Sequence, residues 1–494
     1  MSDEPWAGGY VVDVEYTHGF YPDLAPLNLV MAAALAGRQA PDPDRPFTYL
    51  ELGCGNGFST ALLAAAHPHG RFWGNDFNPA HIVNARGLSE SAGIGNLTFL
   101  EASFEVLAEA ELPEFDIIVM HGIWSWVSAG NRRHIVDLIR RRLKPGGLVY
   151  VSYNCLPGWS RAAPLRRLMK LGVTHPAAPA ETRVAQALDY VQAVRAAGAG
   201  IFAEPHAGAI FDHISKESPA YLAHEYLNEE WWLFYQDEVA DTLSPARLGY
   251  VAQARLMDGF DQFNFTAAQR ALLGGGDVPA ATEVVRDFLI DRRFRRDIYG
   301  RDAPSMTAGD VSHWMARRRF ALARLRDVCP LKFRRPGGEF DLTPHVFNGV
   351  LDALTEGPAS LDALRAWPGL AGVEARHIEQ ALGVLCALGY VQPALEGAGD
   401  AARKAVTDRF NGSALRSAVA GRPVAALASP VTGTGVLLPG PEQLFLAAIL
   451  RGEAAEGVAD SLVPKAGAEQ EAMRARARSF ALKGLGVLRA LQVI

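Results

Sequence analysis

The sequence predicts an α/β fold: a parallel sheet with helices on both faces, followed by a mostly helical C-terminal half. Three observations carry this. Short apolar strand-like runs alternate with helical runs between residues 47 and 154, the spacing that a parallel sheet requires. A loop with glycine at alternate positions, Gly53, Gly55 and Gly57, separates the first of those strands from the helix after it. From about residue 160 the pattern becomes predominantly helical. A chain of 494 residues also exceeds what one core supports, so at least two domains are expected.

Taken in order, "LNLVMAAALAG" (27–37) reads as a helix ending at Gly37, and "PDPDRP" (41–46) as the loop into a strand at 47–52. After the glycines come the helix "STALLAAAHP", the strand "RFWGNDF" (71–77) and the helix "PAHIVNARGLSESAG". Further strands are expected at 97–103 and 115–122, then the helix "NRRHIVDLIRRRL" and the strand entered through "LKPGG" (143–154). Residues 160–225 read as a helical insertion interrupted by "THPAAPAE", and 244–258 as a return to helix and strand. An arginine-dense helical stretch follows in "ATEVVRDFLIDRRFRRDIYG". The order of elements in 340–394 resembles a winged-helix module, and a tail helix is expected at about 467–490. The expected domains are therefore 1–258 with the insertion, a helical linker at 259–335, a winged-helix-like module at 336–395, and a helical region at 396–494.

Composition excludes several classes. A hydrophobic content of 49% with 21% charged residues describes a folded chain. A net charge of −6 argues against a nucleic-acid surface. The winged-helix-like unit is itself acidic, with six acids and two arginines, so it is expected to contact protein rather than DNA. Cys54, Cys155, Cys329 and Cys386 are scattered without metal-ligand spacing, no metal is expected, and reduced thiols in a cytoplasmic protein are. No apolar run is long enough to span a membrane and the N-terminus lacks the apolar core of a signal peptide.

The glycine loop narrows the chemistry. A dinucleotide fingerprint would place glycine at position 58, which is Phe58, and no Lys-Ser/Thr pair follows as a phosphate-binding loop requires. "YLELGCGNGFS", an acid followed by G-x-G-x-G, instead resembles the first motif of class I S-adenosylmethionine-dependent methyltransferases. Its glycines would let backbone approach the cofactor, the following helix would direct N–H groups to a carboxylate, and Glu51 would reach the cofactor's amino group. Asp76, ending the second strand, is placed to accept from both ribose hydroxyls. At the end of the third strand, where many family members carry an acid, this chain has Ser103. Cys54, Phe77 and Phe104 adjoin these positions and complete the candidate cofactor set with His121 and Tyr16. The resemblance implies a Rossmann-like sheet of seven strands, mostly parallel, and S-adenosyl-L-methionine as cofactor.

"HGIWSWVS" (121–128), "YVSYNCLPGW" (150–159), "HEYLNEEWW" (224–232) and "DFLIDRRFRRDIYG" (287–300) resemble one branch of that family: bacterial enzymes with a C-terminal methyltransferase regulatory domain, among them rickettsial protein-lysine methyltransferases. The resemblance implies N-methylation of a protein lysine. A small-molecule N- or O-methyltransferase with a capping or dimerising C-terminal half, and a cofactor-binding regulatory protein without turnover, remain the alternatives. Candidate catalytic residues are His121, as base or cofactor-facing group, with Trp124, Tyr153, Asn154 and Tyr21, alongside Trp126, as channel walls and polar guides. Tyr16, His18, Phe20 and Tyr21 either fold over the cofactor as a lid or pack as an aromatic turn under the sheet. The arginines at 292, 293, 295 and 296 either face an acidic substrate or form a solvated helix face with Asp287, Asp291 and Asp297. Because all the cofactor motifs lie before about residue 160, the sheet is expected to close without the residues beyond about 330.

Overall fold

The computed structural model describes residues 19–203, 205–274, 283–342 and 344–494. Its centre is a seven-stranded sheet built from β1 (Thr48–Leu52), β2 (Arg71–Asp76), β3 (Leu97–Glu101), β4 (Phe115–Met120), β5 (Leu143–Asn154), β6 (Leu248–Gln253) and β7 (Phe294–Arg301). The spatial order is β3-β2-β1-β4-β5-β7-β6. The pairs among β1 to β5 are all parallel, and β7 alone runs antiparallel, between β5 and β6. The order reverses at β1, between β2 and β4, so the crevice outside the carboxyl ends of those strands is where such a sheet binds ligands.

The strand at 294–301 corrects the sequence reading, which made this stretch helical and closed the sheet's domain at 258. Alternate residues Arg295 and Asp297 point inward and are fully buried. The Arg295 guanidinium pairs with Glu283 and Asp287, both at 2.7 Å, and with Asp297 at 2.9 Å. The region 259–335 therefore contains a central sheet strand as well as helices.

On one face of the sheet lie α1 (Pro26–Leu35) and α2 (Phe58–Ala66). Every residue of α2 is buried, as expected of a helix that is apolar all round. Its inner side meets the sheet. Its outer side meets the helix Asp400–Val419 and the hairpin of strands Ala426–Ser429 and Thr434–Leu437. The rings of Phe58 and Phe410 lie 5.8 Å apart, and Phe410, Ala426 and Ala428 belong to the same core cluster as Leu62 and Tyr49. The C-terminal half thus completes the core of the sheet domain, contrary to the expectation that the sheet closes without it. On the opposite face, Leu107, Ile135, Leu138 and Val239 pack over Leu50, Ile118 and Val149. The insertion after β5 has its own cluster around Trp159, Leu165, Val184, Phe211 and Tyr226.

Residues 319–394 form a three-stranded sheet, Ala359–Ser360, Arg319–Leu322 and Val391–Ala394, covered by the helices Pro344–Ala353, Leu361–Arg365 and Ala375–Ala387. Among the described residues no helix is long and apolar enough to cross a membrane, and no group of three or more His, Cys, Asp or Glu side chains is placed to hold a metal ion.

Candidate active site

The loop after β1 is built by its three glycines, all left-handed, with φ of 68°, 54° and 70° at Gly53, Gly55 and Gly57. A Cβ at Gly53 would lie 2.1 Å from Ile123 Cδ1, and one at Gly57 2.6 Å from Ala85 and Phe99. Those two glycines serve packing as well as conformation. Among the described residues, a Cβ at Gly55 would meet nothing within 4 Å, so the backbone there is open to a ligand. The Gly55 N–H donates to Asp76 Oδ2 at 3.0 Å, while Asp76 Oδ1 accepts from Asn78 N–H at 2.9 Å and lies 3.3 Å from His81 Nδ1. Asp76 therefore ties the end of β2 to the glycine loop. The N-cap of α2, Gly57, offers no side chain to the helix's first N–H groups among the described residues, and such N–H groups attract anions.

Glu51 is buried beneath this loop and accepts the hydroxyl proton of Thr60. Burial pushes its carboxyl up to about 7; the Thr60 hydrogen bond opposes the rise and the nearby Asp76 charge adds to it. Two carboxylates, an open glycine and uncapped helical N–H groups fit a ligand carrying cationic, carboxylate and hydroxyl groups together. S-adenosylmethionine carries all three.

The remaining cofactor candidates are less uniform. Ser103 is an exposed N-cap whose hydroxyl accepts from Val106 N–H. Phe104, beside it, packs partly buried against the core on the far face of the sheet. Cys54 is a half-buried free thiol packed with Ile82 and Phe99. Phe77 is half-buried between Asp76 and the N-cap of the next helix. Tyr16 and His18 lie outside the described residues.

His121 follows β4 and is the hinge between the cofactor side and a second region. Its ring lies 3.8 Å from that of Tyr21, and its Nδ1 is 2.8 Å from Tyr150 Oη and 3.3 Å from Ser152 Oγ. Burial, with help from Arg296, pulls the imidazole down to about 3, so it stays neutral and is poorly suited to hold a proton. Burial holds the Tyr150 hydroxyl well above its ordinary range, so Tyr150 keeps its proton and can donate it to Nδ1.

Beyond His121 opens a cavity of about 320 Å³, walled by His121, Trp126, Asn154, Tyr221, Glu225 and Arg293 among others. Four of the sequence candidates thus come together here: His121, Trp126, Asn154 and, in ring contact with His121, Tyr21. Two do not. Trp124 is fully buried in the core beneath β4 and β5, and Tyr153, also buried, donates its hydroxyl to Asp297 at 2.6 Å. Their aromatic surface is committed to packing, because alternation along β5 turns Tyr153 away from the face that Asn154 presents.

The sequence reading missed the far wall of the cavity. His213, Glu217, Tyr221 and Glu225 recur every fourth residue and all line it. They do not share one helix: Pro205–Ile214 ends before Glu217, and extended Ser218 caps the next helix, Pro219–Leu222, so the fold rather than the spacing brings them together. Glu225 sits in a π-helical turn, Ala223–Leu227. Burial raises its carboxyl to about 7, opposed by the nearby Asn154 side chain and by the charge of Arg293. Arg293 and Arg296 line the cavity, while Arg292 and Arg295 are ion-paired in the interior, Arg295 on a buried strand, which corrects the reading of the run as a solvated helix face.

Comparison with known proteins agrees with this geometry. Residues 44–189 match the model of a methyltransferase domain, and 218–301 that of a predicted methyltransferase regulatory domain. An uncharacterised protein of Synechocystis is 39% identical over 444 residues, 90% of this chain and 88% of that one. The solved structure of PKMT2 from Rickettsia typhi in complex with AdoHcy superposes with a TM-score of 0.69 at 19% identity, covering 97% of this chain and 99% of that one. A malonyl-[acyl-carrier protein] O-methyltransferase of Paenibacillus is 36% identical over 107 residues, 21% of this chain and 38% of that one. The chain belongs to the class I S-adenosylmethionine-dependent methyltransferases that carry a methyltransferase regulatory domain.

Proposed function

We propose that this methyltransferase acts on the side-chain nitrogen of protein lysines, and that Glu51, the glycine loop and Asp76 hold its cofactor. The observation that carries the acceptor assignment is the cavity beside His121. Its wall alternates carboxylates with aromatic rings, Glu217, Tyr221, Glu225 and Tyr226 facing Trp126 and Trp159. Such a wall suits an alkyl-ammonium chain: rings pack along the methylenes and attract the cation, and the carboxylates attract its charge. Bound S-adenosylmethionine supplies a methyl group already activated by its sulfonium, so the protein's task is to bring the amine into line, and alignment at roughly 3 Å is worth several kcal/mol. The resemblance to rickettsial protein-lysine methyltransferases points the same way. The acidic unit at 340–394, read as winged-helix-like, would serve as a protein-contacting module that recruits the acceptor.

A second reading, O-methylation of a small carboxylate, is favoured by Arg293 and Arg296 in the same cavity. Arg296 is already paired with Asp23 at 3.1 Å, and Arg293 lies over the Trp159 ring at 4.6 Å, which leaves less cationic character for a ligand than the count implies. Incubating the full-length protein with tritiated cofactor and a cell lysate separates the two. Label in protein, recovered as methyl-lysine after hydrolysis, is the expected result. Label confined to small molecules would reject the lysine assignment.

A further inference from the structure

The lysine reading leaves one step without a residue: an amine at neutral pH is protonated and must lose a proton before it can attack. The candidate named from the sequence, His121, is held neutral by burial at a value of about 3 and is a poor acceptor. Glu225 lines the same cavity, together with Asn154 of β5 and Arg293 of the approach to β7. We propose that Glu225 is the group that receives the proton of the acceptor ammonium. This inference rests on the lysine assignment above.

The surroundings support it from each packed element. Tyr221 and Tyr226 flank Glu225 on the insertion, Arg293 and Arg296 come from the β7 side, and His121 from the end of β4. Glu217 and His213, 3.6 Å apart, line the same cavity with side-chain exposures of 38% and 71%. A proton taken by half-buried Glu225 is therefore near water. Burial raises the affinity of Glu225 for a proton to about 7, which narrows the gap to a lysine of ordinary pKa about 10.4. The step balances: the ammonium gives one proton to the carboxylate, the freed nitrogen lone pair forms the N–C bond, and the C–S bond breaks with its electron pair remaining on sulfur. The proton then passes to solvent.

The test uses the full-length protein and an octalysine peptide. Calorimetry without cofactor, in two buffers of different ionisation heat, should show release of about half a proton at pH 7 on peptide binding, because the incoming cation ionises a carboxylate that is half protonated there. In Glu225→Gln that release should vanish and kcat fall about 10²–10⁴-fold with loss of the pH limb near 7, while cofactor affinity stays unchanged. Glu217→Gln should keep the limb. Wild-type protein that neither binds nor methylates octalysine would overturn the lysine assignment itself. Wild-type protein that methylates octalysine but releases no proton, or a Glu225→Gln variant with an unaltered pH profile, would overturn the role of Glu225 alone.

Discussion

Asp76 holds two backbone N–H groups, one from the glycine loop and one from the turn after β2, so it shapes the loop as well as presenting a carboxylate. Charged hydrogen bonds of this kind contribute about 1.5–3 kcal/mol. Asp76→Ala should therefore weaken S-adenosylmethionine binding about 10- to 100-fold by titration calorimetry; equal affinities would remove Asp76 from the site. Glu51 behaves differently because it is buried without a cationic partner among the causes of its shift. Its proton affinity is raised from 4.5 to about 7 in the folded protein. The stability it contributes is thus complete below about 4.5 and lost as pH rises through about 7. A bound cation favours the ionised form, so cofactor affinity should climb between about pH 5 and about 7 and then level. Glu51→Gln should flatten that slope, and a wild-type affinity independent of pH would contradict the assignment. The loop and both acids were legible in the sequence because their geometry is local: a strand end, three left-handed positions and an acid one strand over. Glu225 was not singled out, since its meaning depends on Asn154, distant in the chain, facing it across a cavity.

At the scale of elements, the misread stretch is β7. Period-two reading relies on apolar residues marking the buried face, but here the buried positions are Arg295 and Asp297, with Tyr299 and Ile298 beyond. A strand that buries charge reads as polar throughout. The charges are tolerated because they are matched: Arg295 reaches Glu283, Asp287 and Asp297, and Asp297 also accepts from Tyr153 and Gln253. Removing one member leaves the others buried and uncompensated. Arg295→Met is expected to cost about 3–5 kcal/mol of stability, measured by denaturant unfolding, and pairing it with Asp297→Asn should recover part of the loss. A single variant as stable as wild type would show that the cluster contributes nothing net. By contrast β1 to β5 were read to within a residue or two at most ends, because their apolar runs and flanking Gly and Pro carry the pattern by themselves.

At the scale of the molecule, the C-terminal half is part of the methyltransferase core. Ala61 to Ala66 are fully buried, and their outer side is covered by the helix Asp400–Val419 and the hairpin at 426–437. A chain ending at residue 330 would expose that side of α2, whose N-terminus frames the cofactor loop, and should aggregate or lose cofactor binding. A soluble truncated chain with full-length affinity would show that α2 stands without its cover. The sequence by itself determined the alternation of strands and helices, the glycine cradle, the acids beside it and hence the family, since each depends on backbone conformation and spacing within a few dozen residues. Only the tertiary structure decided that Tyr153 and Trp124 are core, that Glu225 and Asn154 share a cavity, and that residues beyond 330 complete the sheet's packing. Those outcomes depend on which surfaces meet across hundreds of residues, and burial, which sets the proton affinities of Glu51, His121 and Glu225, exists only once they have met.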